Sequence, residues 1–366
     1  MQKKTVYRSI VAVVTIAVAA AHLLLSSQAG AQAQASGEPP VYPPLTAHNP
    51  EVGVVLEMRE AYSVLEFGWF DAQRQRRVPV RLYLPNVASA VVPVPLIAFS
   101  HGIGGSRAGY SHLGRYWASN GFASLHVQHL GSDRAIWTGG AFGPLSILVN
   151  LQDAAQDTNA IHRARDISFA LTQALGAAEL AGKLDAGKII AAGHSYGANT
   201  TMLLAGAEVE RDGQRIRLRD PRVKAALIIS APPFYGDSDL AKIVQPISVP
   251  TLHVTGTKDE IAVPGYRSGA QDRVRVFEAM QSVKELVLFE GATHSIFTDR
   301  IDRSGLDLNA RVKAATREVS VRFFADVLEA NGETAQLKRV TAWLGDNSGI
   351  VAKKPVQSAS SAVPPQ

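Results

Sequence analysis

Apolar residues along this chain follow two periods. Short continuous runs end at glycine or a polar residue, and between them lie longer segments with an apolar position every third or fourth residue. "VPLIAFSHG" (Val94 to Gly102) is one such run, and its lack of alternation predicts a parallel strand buried on both faces. Further strand-and-loop units are expected at Ala123 to Asp133, Lys188 to Ala192, Arg222 to Pro233, Val249 to Glu260 and Lys284 to Ser295. From Gly53 to Pro85 two strand-like runs flank "DAQRQR", and the second alternates as a half-buried strand. Helical spacing marks "GYSHLGRYWASNGF", with an Asn120-Gly121 stop, then Ala160 to Leu175 and roughly Asn309 to Ala330. Arg134 to Asn159 has no clear period and reads as a loop or partial lid, and the charged Ala207 to Arg222 reads as a solvated excursion. Strands alternating with crossover helices predict an α/β domain whose mostly parallel central sheet carries helices on both faces. In such sheets the working residues sit on loops at the carboxyl ends of the strands.

The two ends of the chain do not follow this pattern. Residues 1–35 carry Lys3, Lys4 and Arg8, an apolar run from Ile10 to Leu25, and alanines at Ala31, Ala33 and Ala35. That is a secretory signal peptide cleaved after one of those alanines, the alternative being an uncleaved membrane anchor. A proline-rich arm (36–52), the α/β domain (53–344) and a low-complexity, disordered tail (345–366) are expected to follow. The chain has no cysteine, which excludes disulfides and a lipoprotein anchor. A bacterial periplasmic or secreted protein is expected, without stable membrane insertion once the signal is removed. Three of the 37 Lys and Arg lie in the signal, leaving 34 against 32 acidic residues, a mature charge near +2. The remaining basic residues are scattered, so a nucleic-acid partner is not expected.

The chemistry concentrates in "KIIAAGHSYGANT". Gly193-His194-Ser195-Tyr196-Gly197 fits G-x-S-x-G at the seam between a strand pattern and a helix pattern. A serine on a sharp strand-to-helix turn exposes its hydroxyl, and the residues two before and two after come too close for side chains. Such a hydroxyl needs a base, and the base needs an acid to orient it, in chain order Ser, acid, His. His294, on the loop after the last apolar strand, is the expected base; His253 lies within an apolar strand and reads as core. Asp259 in "VTGTKDE" is the expected acid, with Glu260, Asp237 and Asp239 as rivals. Backbone N–H groups of Tyr196 and of Ile103, in the glycine-rich "SHGIGGS", are the expected oxyanion donors.

"FSHGIGGSRAGYSHLGRYWASNGFASLHVQHLGSD", "RARDISFAL", "AAGHSYGANT", "GTKDE" and "GATHS" together resemble exported bacterial α/β-hydrolases of the platelet-activating factor acetylhydrolase and dienelactone hydrolase-like group, over roughly Val78 to Val327. The resemblance implies the α/β-hydrolase fold, a Ser195–Asp259–His294 triad, donors at Ile103 and Tyr196, and carboxylester substrates. The chain departs from the dienelactone hydrolases in having no cysteine nucleophile, and Ala198-Asn199 follows Gly197 where related elbows often show a second glycine.

Trp137 and Phe142, in the lid-like stretch, are the expected substrate-binding residues. His101, His112, His126 and His129 do not have the spacing of a metal site, and His101 is expected to fix the oxyanion loop by hydrogen bonds. No metal and no cofactor are expected. The expected function is a serine esterase acting on a small-molecule or lipid ester, with short or acetyl chains preferred. Lactone, thioester, amide or polyester hydrolysis, or a non-catalytic binding role, are the alternatives. The oligomeric state is not legible in the chain.

Overall fold

A computed structural model of the chain describes residues 53–138, 144–234, 239–263, 266–330 and 335–352. The expected signal peptide and proline-rich arm therefore lie outside the described residues. The main sheet contains β1 (Val54–Met58), β2 (Tyr62–Asp71), β3 (Arg76–Pro85), β4 (Val94–Ser100), β5 (Ala123–Val127) and β6 (Leu184–His194). After the small hairpin β7 (Glu208–Arg211) and β8 (Gln214–Arg217), it continues with β9 (Val223–Ile229) and β10 (Thr251–Lys258). A second hairpin, β11 (Ile261–Val263) and β12 (Tyr266–Ser268), precedes its last strand, β13 (Lys284–Thr293).

The nine strands lie in the order β1-β2-β3-β5-β4-β6-β9-β10-β13. β1, β2, β3 and β5 pair antiparallel, and every pairing from β5 to β13 is parallel. The run expected before "DAQRQR" is thus two strands, β1 and β2, and the charged stretch after Ala207 is a hairpin.

Consecutive residues of the parallel strands serve two different cores, which is why those strands are unbroken apolar runs. Leu96, Ala98, Ile189, Ala191, Ala226 and Ile228 face one core, which α3 (Asp157–Gly176), α4 (Tyr196–Ala205), α5 (Leu240–Val244) and α6 (Ala270–Ala279) cover. Ile97, Phe99, Ile190, Ala192, Leu227 and Ile229 face the other, under α1 (Ser111–Ser119), α7 (Leu306–Glu329) and α8 (Lys338–Asp346).

Two expectations need correcting. The aperiodic stretch from Arg134 contains a 3₁₀ turn (Arg134–Trp137) and the helix α2 (Pro144–Ala154), with the Asn150 amide donating to the Ile136 carbonyl at 3.1 Å. The tail does not leave the domain at residue 345. α8 runs to Asp346, Glu290 N–H donates to the Ile350 carbonyl at 3.0 Å, and Ala352 N–H donates to the Leu288 carbonyl at 2.7 Å. β13 is the open edge of the sheet, and its unpaired backbone groups recruit this segment more strongly than composition suggests.

Candidate active site

β6 and α4 meet at Ser195, whose φ of 57° and ψ of −124° hold it in a strained turn. A Cβ on Gly193 would stand 2.2 Å from the Gly197 carbonyl oxygen, and one on Gly197 would stand 1.9 Å from that of Ser100. No side chain fits either gap, so the two glycines are what allow the turn to form against the end of β4. Ser195 N–H donates to the Ile229 carbonyl at 2.9 Å, which fixes the elbow to β9. Behind the turn, the Asn199 amide donates to the Pro232 carbonyl at 2.9 Å.

β10 and β13 carry the other two groups. A Cβ on Gly256 would lie 2.1 Å from the Ala292 carbonyl oxygen, so this glycine lets the two strand ends close together. Asp259 and His294 follow those ends. His294 Nδ1 lies 2.8 Å from Asp259 Oδ1, and His294 Nε2 lies 2.9 Å from Ser195 Oγ. Because a carboxylate only accepts, Nδ1 carries the proton and Nε2 is free to accept the hydroxyl proton of Ser195. That is the geometry of a nucleophile, a base and an orienting acid.

Asp259 is fully buried. Burial by itself would raise its carboxyl, but the His294 imidazole, the Arg273 guanidinium and the Ser230 hydroxyl together hold it well below the usual carboxylate range. Thr255 Oγ1 donates to its Oδ2 at 2.7 Å. Ser230 is a member of this site that the sequence reading missed. Its Oγ donates to Asp259 Oδ2 and lies 2.8 Å from His294 Nδ1, and its backbone is held at φ 57°. Arg273, from α6, places Nε 3.3 Å from Asp259 Oδ1, close enough for an ion pair, yet neither Nε nor Nη2 finds an aligned hydrogen-bond acceptor.

The glycine-rich loop after β4 lies against the elbow. Gly102 N–H donates to Tyr110 Oη at 3.3 Å, and Gly104 N–H donates to the Ser132 carbonyl at 2.9 Å. Ile103 N–H, between them, and Tyr196 N–H, at the first residue of α4, are both left without a backbone acceptor among those hydrogen bonds. His101 Nδ1 donates to the Gly102 carbonyl at 2.7 Å, while its Nε2 accepts from His129 N–H at 3.2 Å, so the ring fixes the loop. His194 bridges outward from the elbow. Its Nε2 donates to the His294 carbonyl at 2.9 Å, so its Nδ1 must accept from the Tyr110 hydroxyl at 2.8 Å. Burial, followed by the neighbouring His294, lowers the His194 pKa to about 3 and keeps the ring neutral in this relay.

The structure therefore brings together Ser195, Asp259, His294, Ile103 and Tyr196. Trp137 joins them at the loop: its Nε1 donates to the Gly104 carbonyl at 2.8 Å, and its ring covers Gly104, where a Cβ would collide with it at 2.3 Å. Phe142 and Asp237 lie outside the described residues. Of the other acids, Glu260 is exposed, and Asp239 caps α5 through Lys242 N–H at 3.1 Å. His253 is buried in the sheet, with Nε2 3.2 Å from the Met280 sulfur. Ser230 stands directly after β9, at a strand end where a polar residue was a candidate, whereas Arg273, within α6, carries no strand-end signal.

Two family models match the chain. Residues 86–140 match platelet-activating factor acetylhydrolase, isoform II, and residues 189–295 match serine hydrolase (FSH1). No curated protein sequence matches significantly. Among solved structures, a ferulic acid esterase from Streptomyces cinnamoneus is similar, with a TM-score of 0.53, 22% identity, and coverage of 73% of this chain and 90% of the esterase. An acylaminoacyl peptidase is similar with a TM-score of 0.53 and 15% identity, covering 77% of this chain and 44% of the peptidase. At such identities the likeness is one of fold. The sheet order, the strained serine elbow and the serine hydrolase match over residues 189–295 together support a serine hydrolase with the α/β-hydrolase fold.

Proposed function

We propose that this protein is an exported esterase that cleaves short-chain or acetyl carboxylic esters, of small-molecule or lipid substrates, through an acyl-enzyme. Ser195 Oγ attacks the acyl carbon as His294 Nε2 takes its proton, and Asp259 orients the imidazole and stabilises its charged form. Ile103 N–H and Tyr196 N–H receive the carbonyl oxygen as it gains charge. His294 then protonates the departing alkoxide. It next activates a water that attacks the acyl-enzyme, and Ser195 leaves with its proton restored.

The observation that carries this reading is the unbroken line from Ser195 Oγ to His294 Nε2 at 2.9 Å and from His294 Nδ1 to Asp259 Oδ1 at 2.8 Å. Trp137, seated on Gly104 of the oxyanion loop, is the residue we assign to binding the substrate. The charged, apolar and alanine-rich order of residues 1–35 supports export.

The test is hydrolysis of p-nitrophenyl esters from acetate to palmitate by the mature protein and by Ser195→Ala. Fastest turnover of acetate or butyrate, falling by roughly 10⁶-fold in the variant, is the expected result. A long-chain optimum replaces the short-ester reading with a lipase. Wild-type protein that turns over no ester and takes no fluorophosphonate at Ser195 overturns the enzyme reading.

A further inference from the structure

The motif Arg163-Ala164-Arg165-Asp166 on α3 has no part in the reaction described above, yet Arg163 and Asp166 are both buried. Three residues apart on a helix, they share a face, and that face looks toward the loop after β4. Asp166 is fully committed. It pairs with Arg74 at 2.8 Å, with Arg76 at 2.9 Å and with His129 Nδ1 at 3.2 Å. His129 Nε2 in turn accepts from the Ser100 hydroxyl at 3.0 Å.

Arg163 is wired differently. Its guanidinium forms no ion pair with any carboxylate among the described residues. Instead Nη2 donates to the His101 carbonyl and, at 3.1 Å, to Ser100 Oγ; Nη1 donates to Ser132 Oγ at 2.8 Å; and Nε donates to Thr200 Oγ1 at 3.1 Å. Thr200 Oγ1 donates onward to the Tyr196 carbonyl at 3.2 Å, and the guanidinium carbon sits 4.6 Å from the centre of the Tyr196 ring. One side chain thus holds the loop that carries Ile103 and the first turn of the helix that carries Tyr196. Burial lowers its pKa to about 10, with Tyr196 and Asp166 acting the other way, so it is a cation at neutral pH.

A fully buried cation without a counter-ion is costly unless something else repays it. The Asp166 and Asp133 carboxylates act on it only without an ion-pair contact, and a further negative charge appears during the reaction, on the carbonyl oxygen between Ile103 N–H and Tyr196 N–H. Resting on the esterase reading, we infer that Arg163 is a positioning residue for the oxyanion hole. It rivets the two donor-bearing segments together and supplies a buried positive charge, in ion-pair contact with no carboxylate among the described residues, that favours the tetrahedral intermediate over the bound ester.

Such a role acts on kcat and on the affinity for tetrahedral analogues, whereas a purely structural role moves thermal stability alone. The test compares wild type, Arg163→Lys, Arg163→Met and Thr200→Val for kcat, KM, inhibition by an alkyl boronic acid, and Tm. Arg163→Met is expected to lose about 10²- to 10³-fold in kcat with KM within about twofold, and to lose boronate affinity in parallel. Arg163→Lys keeps the charge without the fork and is expected to lose about tenfold. Thr200→Val, which removes both the bond from Arg163 Nε and the bond to the Tyr196 carbonyl, is expected to lose about three- to tenfold.

Folded Arg163 variants with kcat and boronate affinity within about threefold of wild type would falsify the inference, as would a loss confined to KM. Should both arginine variants fail to fold, Thr200→Val decides alone, and an unchanged kcat overturns it. Wild-type protein inert toward esters and toward fluorophosphonate brings down the esterase reading together with this inference. An active wild type with indifferent variants brings down the inference only.

Discussion

Two buried arginines flank the line of Ser195, His294 and Asp259, and they face opposite situations. Arg273 stands 3.3 Å from the Asp259 carboxylate, so cation and anion leave water together. Arg163 stands among carbonyl and hydroxyl oxygens with no carboxylate in ion-pair contact. The first arrangement stabilises a charge that exists in the resting protein. The second holds its cation by hydrogen bonds and by carboxylates that make no ion-pair contact with it, which on our inference leaves it able to favour an anion that forms nearby. Removing Arg273 strands a buried carboxylate, and removing Arg163 strands none. The two sides should therefore fail in different ways, one chiefly in stability and the other chiefly in rate.

The largest expected effect on the acid side is that of Asp259→Asn. It keeps the shape but offers His294 Nδ1 an amide that can hold the wrong tautomer, and kcat is expected to fall about 10⁴-fold, with a lower Tm as well because Arg273 loses its buried counter-ion. A loss under tenfold would assign the acid role to another carboxylate. Arg273→Leu comes next, because it leaves Asp259 buried beside only His294, Ser230 and Thr255. Breaking a buried pair from one side costs about 3–5 kcal/mol, to be read from urea unfolding. If Arg163→Met instead proved the more destabilising of the two, the contrast between the arginines would be lost.

The smallest effect per residue is a pH dependence shared by the whole domain. Burial, the largest cause in each case, lowers the pKa of His126, His129 and His253 to about 3 and that of His112 to about 4. As pH falls, the unfolded chain takes up these protons first, so the stability is complete above about pH 6.5 and is lost below it. Each histidine contributes a slope of up to about 1.4 kcal/mol per pH unit in that window. Tm should therefore drop between pH 7 and pH 5, and His253→Gln should make the fall shallower. A flat Tm across that range contradicts the burial of these rings as neutral groups.

What was legible in the chain was whatever depends on residues close in sequence. Gly193, Ser195 and Gly197 announce the elbow because one turn places them within five residues, and the collisions a Cβ would meet there are with backbone brought in by that same turn and by β4. His294 and Asp259 were legible because a parallel sheet sends its functional loops to one edge, so a polar residue just past an apolar run is already a candidate. The region from Arg134 to Asn159 was less legible, since α2 has no clean apolar stripe and is held through a contact such as Asn150 to Ile136. The final residues were misjudged because composition does not register that β13 is an open edge in need of a partner.

The sequence by itself determined the class of sheet, the candidate nucleophile, and the order in which the candidate acid and base follow it. Those are consequences of local sterics and of hydrophobic period, which a short window contains. Only the tertiary structure decided which side chains tune those groups. Arg163 meets Thr200 across 37 residues and the His101 carbonyl across 62, and Ser230 meets Asp259 across 29. A buried polar atom takes whichever partner the packing brings within about 3 Å, and no sequence period encodes that distance.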